Sequence, residues 1–431
     1  MISGKTAHDI FLQIRHQAIT GQLQPGDTLP PVRDLAEQLG INRNTVASAY
    51  KKLVRAGIAV SRGRNGTSVK KLDLGMVTEG VPMSRLIDAS GGNPDPELLP
   101  DLAELQKNLS LRHRLYGEPV MNSRLEQWAR DWLAQDLPHF FTLCLTHGAV
   151  DAIERLLMSY LVSGDKVAVE TPCFLNSIQI INANGFELTG VEIDNQGMIP
   201  SSLVNALDRG AQAVVITPRA HNPTGCSLSA QRADEIKSIL QDYSHVMVIV
   251  DDHFSMLSVE QYQNVIPDNH PRWALIRSMS KIMGPDIRLA FVASDAATSA
   301  LLQQRLAAGI NWISHIIQDL VAASVLSPQF ADFIAKARNR YQQKRLIFNT
   351  ALLANGIDVA DVIDGFNLWL PLASESSKVV MALAHRGWMV REGEVFGIER
   401  PIHGIRITLS MLDERQLLDL AQDIADVINL Q

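Results

Sequence analysis

The sequence is poor in the residues that staple, ligate or span. Only three cysteines occur in 431 residues, Cys144, Cys173 and Cys226. None forms a CxxC pair, so neither a disulfide framework nor a thiolate metal cluster is expected, and the thiols should be reduced and structural. The histidines show no HExxH or related spacing, and no metal is expected. No apolar run approaches the roughly 18 residues a membrane span needs. The first stretch, MISGKTAHDIFLQIRHQ, is charged throughout and has no apolar secretory core. A cytoplasmic protein with no membrane partner is the expectation. What remains is ordinary globular material, 46% hydrophobic and 20% charged, in a chain long enough for about two to four domains with a large core.

Charge is unevenly divided. Residues 1–71 hold 11 Lys or Arg against 4 Asp or Glu, leaving 28 against 42 for the rest. A basic head on an acidic body is the asymmetry expected when only the head meets a polyanion.

Within the head, Ile10, Phe11, Ile14 and Ala18 fall on one helical face that ends near Gly21. A second short helix begins near Pro31, turns Val32, Leu35, Ala36 and Leu39 inward and stops at Gly40. A third starts at Asn42, a good N-cap, and runs to Ala56 with Val46, Tyr50 and Leu53 on the core side. Two helices around a tight glycine turn spell helix-turn-helix, and IAVSRGRNGTSV, two strand patterns joined through Asn65-Gly66, supplies the hairpin wing. In such a domain the start of the third helix faces base edges, which selects Arg43, Asn44 and Thr45, while Arg33, Lys51, Arg62 and Arg64 would lie near phosphates. Through LPPVRDLAEQLGINRNTVASAYKKLVRAGI the head resembles the winged-helix domain of GntR-type regulators, although Pro31 stands where that family often has a serine. The resemblance implies a double-stranded DNA operator as partner.

The domain plan expected is a head over 1–70, a linker over 71–84 and a body over 85–431. In the body, apolar runs at 141–145, 166–169, 213–216, 246–250, 274–276 and 289–293 alternate with helical patterns such as 152–161 and 230–243. That alternation argues an α/β fold with a mostly parallel sheet, whose ligands bind at the carboxyl ends of the strands. Three polar clusters fall there. Thr146-His-Gly-Ala-Val-Asp151 enters a helix through Gly148, Ala149 and Val150, a natural phosphate seat. Asp251-Asp252-His253 follows a buried run; a carboxylate in such a place also serves simply to cap a helix. Ser278, Ser280 and Lys281 follow WALIRS, with Arg288 further on. These parts suit pyridoxal 5'-phosphate, which needs an amine for its aldehyde, an acid for its ring nitrogen and donors for its phosphate. Lys281 supplies the amine, one of the two aspartates the acid, and Ser278, Ser280, Arg288 and the Gly148 turn the phosphate donors.

With SMSKIMGPDIRLAFVAS, AHNPTG, VDDHF, VETPCF and GIRITLS, the body resembles fold-type I aminotransferases of class I/II over about residues 85–431. The resemblance implies that Lys281 is the Schiff-base lysine, Asp251 the pyridine partner and Asn222 a donor to the ring hydroxyl. It further implies that Phe174 stacks on the ring and that Arg406 binds a ligand carboxylate. His253 stands where the family usually has a tyrosine, and Phe174 where it commonly has another, departures expected to weaken turnover more than cofactor binding. Tyr116, in LYGEP, resembles the tyrosine that reaches the neighbouring subunit's phosphate.

The combination resembles the MocR subfamily of GntR-type regulators. This implies a DNA-binding homodimer whose body senses pyridoxal phosphate or an amino compound reacting with it, with vitamin B6 supply as the expected regulated pathway. A working aminotransferase carrying a DNA-binding head is the alternative.

Overall fold

A computed structural model describes residues 2–61, 66–70, 79–80, 84–107, 109, 111–137, 140–359 and 364–429. Contacts divide it into two compact units, one built on the N-terminal helices and hairpin, the other on the α/β body, to which Glu79 belongs.

The head forms as its caps direct. Helix α1 (Ala7–Ile19) opens on a reciprocal pair: the Thr6 hydroxyl accepts from the Asp9 N–H at 3.1 Å, and the Asp9 carboxylate accepts from the Thr6 N–H at 3.0 Å. Helix α2 (Val32–Leu39) has Pro31 as its N-cap and closes at Gly40, whose φ of 63° is left-handed. Helix α3 (Arg43–Arg55) starts at Asn42, whose side-chain oxygen accepts from the Asn44 N–H at 2.8 Å. Ile10, Ile14, Leu35, Val46 and Leu53 are all fully buried, and the Tyr50 hydroxyl donates to the Pro30 carbonyl at 2.7 Å. Strands β1 (Ala59–Ser61) and β2 (Thr67–Val69) pair antiparallel with Ala59 opposite Val69, making the expected wing. Arg62 and Arg64 lie outside the described residues.

The body is built on an eight-stranded sheet ordered Thr142–Thr146, Ala290–Ser294, Trp273–Ser278, Met247–Asp251, Ala211–Ile216, Lys166–Thr171, Glu187–Asp194, Gly197–Met198. The run from Trp273–Ser278 to Lys166–Thr171 is parallel, whereas Ala290–Ser294 lies antiparallel to both neighbours. Buried on both faces, the central strands read as continuous apolar runs; Val246 to Val250 are all fully buried. All six expected strands occur. The strand Glu187–Asp194 escapes the sequence pattern because it lies toward the sheet edge, with Glu187, Glu192 and Asp194 interrupting its apolar residues.

A second region packs helices Phe330–Ala354, Ser377–His385 and Glu414–Asn429 against strands Asn367–Pro371, Gly404–Thr408 and Arg391–Glu392 around Phe348, Leu368, Ile405, Ile407 and Leu420. Register sets the site: Ile276 pairs with Asp251, which places the Asp251 carboxylate and the turn after Ser278 side by side at the carboxyl ends.

Candidate functional site

One cavity at these strand ends collects Lys281, Asp251, His253, Asn222, Phe174, Ala149, Val150, Ser278, Ser280 and Arg288, and Gly148 abuts Arg288 at its rim. Lys281 sits in the short helix Ser280–Met283, and its amine donates to the Gly92 carbonyl at 2.7 Å. Burial pushes its pKa down to about 8, although the carboxylates of Glu79 and Asp251 pull the other way.

Asp251 ends its strand and Asp252 follows it, its N–H still donating to the Ile276 carbonyl at 2.9 Å, and the two side chains meet different partners. Asp252 is wholly buried and accepts from Arg219 through both oxygens at 2.8 Å and from Arg277 Nε at 2.8 Å. Burial alone would raise its pKa, but the two guanidinium groups outweigh it and keep it below the usual carboxylate range. Asp252 is therefore structural. Asp251 instead looks into the cavity, where its Oδ1 has no hydrogen-bond partner among the described residues. Burial first, and the charge of Asp252 second, raise it to about 7. A buried carboxyl oxygen without a donor is the partner that a protonated pyridine nitrogen requires.

At the phosphate end, the Ser278 and Ser280 hydroxyls touch at 2.8 Å. Arg288 is held with φ at 41° and donates to the His147 carbonyl at 2.9 Å. A non-glycine residue in that region is strained and persists only where its surroundings hold it. Gly148 is the N-cap of Ala149–Tyr160 with φ at 91°, and a Cβ there would come within 2.9 Å of Arg288 Nη2. The first N–H groups of that helix have no acceptor within it, so the helix start and Arg288 form one anion cradle. The donor set fits pyridoxal phosphate at both ends.

At the cavity wall lies a pair that the sequence patterns left unassigned. Glu170, within VETPCF, accepts from the Thr217 N–H at 2.9 Å and lies 3.4 Å from His221 Nε2. Burial raises Glu170 to about 8 and lowers His221 to about 3, so near neutral pH both are uncharged. His253 is likewise lowered to about 4, by burial and then by the Lys281 charge, and stays neutral.

At the other end Arg406, on strand Gly404–Thr408, is wholly enclosed. It donates to Asn222 Oδ1 at 2.9 Å and, as a fork, to both oxygens of Glu79 at 2.6 and 2.8 Å. It lies behind Glu79 and Asn222, which line the cavity, and the carboxylate it holds belongs to the same chain. Nothing in the mixed stretch MVTEGVPM around Glu79 marks it in sequence.

Comparison with known proteins agrees with both halves. Residues 6–69 match the model of bacterial regulatory proteins of the gntR family, and residues 92–424 that of aminotransferase class I and II. The vitamin B6 salvage pathway transcriptional repressor PtsJ of Salmonella typhimurium is 49% identical over 430 residues, covering all of both chains. The chain belongs to the MocR-type GntR regulators. The HTH-type transcriptional regulator TauR of Rhodobacter capsulatus is 22% identical over 91% of this chain and 90% of its own. The MocR body superposes on kynurenine aminotransferase of Pyrococcus horikoshii, solved in complex with PMP, with a TM-score of 0.73 at 20% identity over 81% of this chain and 92% of that one. It also superposes on α-aminoadipate aminotransferase LysN of Thermus thermophilus, complexed with N-(5'-phosphopyridoxyl)-L-leucine, at 0.69 and 18% identity, over 80% and 92%.

In the MocR head, Arg43 and Asn44 stand exposed at the start of α3 and Thr45 is half-buried beside them; Arg33 and Lys51 are exposed. Tyr116 is 90% exposed, edge-on to Trp312 at 5.4 Å, and its own chain does not bring it to the cavity. Among the described residues no cluster of candidate metal ligands occurs, and no helix is long and apolar enough to cross a membrane.

Proposed function

We propose that this protein represses or activates transcription of vitamin B6 salvage genes according to whether its body holds pyridoxal 5'-phosphate, bound through Lys281. The observation that carries this reading is the unpartnered Asp251 oxygen sharing one cavity with the Lys281 amine. The end-to-end similarity to PtsJ supports the regulated pathway.

Pyridoxal phosphate, when bound, supplies an aldehyde that condenses reversibly with a primary amine. The chain's part is to prepare for it. Burial makes about a tenth of Lys281 neutral at pH 7, far more than of a lysine in water, hence nucleophilic. Asp251 waits half-protonated and favours a cationic ring nitrogen once one faces it. Ser278, Ser280, Arg288 and the Gly148 turn would hold the phosphate, Phe174 would stack on the ring and Asn222 would donate to its hydroxyl, with His253 lining the same cavity. Covalent attachment makes recognition selective for an aldehyde, so an enzyme's anchor becomes a sensor's receptor.

We further propose a homodimer. Two heads read two half-sites, and Tyr116, almost fully exposed in one chain, completes the partner's phosphate seat. Regulation then requires only that the ligand favour one arrangement of the heads; a typical coupling of about 1 to 3 kcal/mol changes operator affinity roughly 5- to 150-fold.

The test is binding of the purified protein to DNA upstream of vitamin B6 genes, titrated with pyridoxal phosphate, for wild type and Lys281→Ala. A cofactor-dependent shift that the variant loses is expected. Identical affinity with and without cofactor would reject the sensor reading, and multiple turnovers with an amino acid and a keto acid would favour the transaminase alternative.

A further inference from the structure

The carboxylate seat of this site is filled by the chain itself. Glu79 belongs to the stretch expected to link head and body, yet its side chain enters the cavity and grips Arg406 with both oxygens. A guanidinium fork against two carboxylate oxygens is the geometry in which an amino acid's own carboxylate would be bound. The Asn222 amide nitrogen lies 3.4 Å from Glu79 Oε1, completing the same ring of donors.

The backbone beside Glu79 is anchored as well. The Gly80 N–H donates to the Gly91 carbonyl at 3.0 Å, and Arg391 reaches the Gly80 carbonyl at 3.4 Å. Gly92 is shaped to the occupant: its φ is 65°, and a Cβ there would stand 2.7 Å from Glu79 Oε2. Burial opposes the Glu79 charge, but the hydrogen bonds and charge of Arg406 prevail and hold its pKa below the usual value. Glu79 is thus a carboxylate throughout the neutral range.

We propose that Glu79 is an internal ligand of the Arg406–Asn222 seat, that an amino acid joins the cofactor site only by displacing it, and that displacement frees Glu79 and Gly80 from their contacts with the body. The inference rests on the proposed cofactor reading and adds what that reading lacks, a way for an amino compound's carboxylate to reach the linker. It also separates two ligand classes. Pyridoxal phosphate or a simple amine leaves Glu79 in place, whereas an α-amino acid competes with it, and the competition lowers the acid's apparent affinity by the fraction of time the seat stands open.

Two stable probes test this on the cofactor-free protein: pyridoxamine 5'-phosphate, which has no carboxylate, and N-(5'-phosphopyridoxyl)-L-alanine, which has one. Equilibrium titration of wild type should give the two similar affinities, because the alanine carboxylate must evict Glu79. In Glu79→Gln the alanine adduct should bind at least about 10-fold tighter relative to pyridoxamine phosphate, and Glu79→Asp, too short to bridge the fork fully, should fall between. Binding of pyridoxamine phosphate to each variant certifies that its pocket is folded. Hydrogen exchange gives a second readout: in wild type the adduct should speed exchange of the Gly80 amide, and pyridoxamine phosphate should not. An affinity ratio unchanged by Glu79→Gln, or a Gly80 amide that stays protected under the adduct, overturns the proposal while leaving the cofactor reading intact. Failure of wild type to bind either probe overturns both.

Discussion

Lys281 carries its function in its pKa. At about 8, roughly a tenth of the amine is neutral at pH 7, against about one part in 2,500 for an ordinary lysine. Covalent attachment of pyridoxal phosphate, trapped by borohydride and read by mass spectrometry, should therefore quicken as pH rises and level off just above 8. A profile still climbing at pH 10 would place the amine in water. The same depression has a stability sign. The charged form is penalised in the fold, so below pH 8 Lys281 costs stability, and the cost is relieved as pH rises from about 8 toward the value of a free lysine. Beside it, Asp252 shows how two adjacent carboxylates divide labour: one is neutralised by Arg219 and Arg277 and holds the sheet end together, and the other is left without a donor.

At the scale of elements, two helix starts carry the proposed contacts. The helix Ala149–Tyr160 begins at a glycine because both its positive φ and the nearness of Arg288 exclude a side chain. Gly148→Ala should weaken pyridoxal phosphate binding at least about 10-fold, since the methyl displaces Arg288, whose charged hydrogen bond to phosphate is worth about 1.5 to 3 kcal/mol. Unchanged affinity by fluorescence titration would remove Arg288 from the phosphate seat. The start of α3 presents Arg43 and Asn44 to solvent, where a major groove would receive them. Arg43→Ala should cost about 1 to 3 kcal/mol on the operator and much less on random DNA. Lys51→Ala should weaken both alike. Equal losses on operator and random DNA for Arg43→Ala would refute its role as a base reader.

For the whole molecule, the charge split makes binding an ion-exchange reaction. If the two heads of a dimer together neutralise about six phosphates, operator affinity should fall with a log–log salt slope of about −5, or about 1,000-fold between 50 and 200 mM. Cofactor binding, inside an acidic body, should not follow that slope. A salt-independent operator affinity would argue against phosphate contacts by the basic head. If Glu79 yields its seat to an amino acid, ligand identity becomes a statement about the chain that joins the units, and the coupling between body and DNA acquires a covalent route.

The sequence alone determined the winged helix and the α/β body, because caps, glycine stops and apolar periods are local features that the chain carries wherever it lies. It also determined which residues could serve pyridoxal phosphate, because Lys281, Asp251 and Asn222 lie in short contiguous motifs. The tertiary structure decided what depends on residues far apart meeting. The buried arginines assigned Asp252 to the core and left Asp251 to the cavity. The Glu170–His221 pair lost its charge only through burial. Glu79 met Arg406 across 327 residues of chain, and no local pattern encodes that meeting, because a lone acid in an irregular stretch is indistinguishable from solvated surface until the fold brings a buried guanidinium to it.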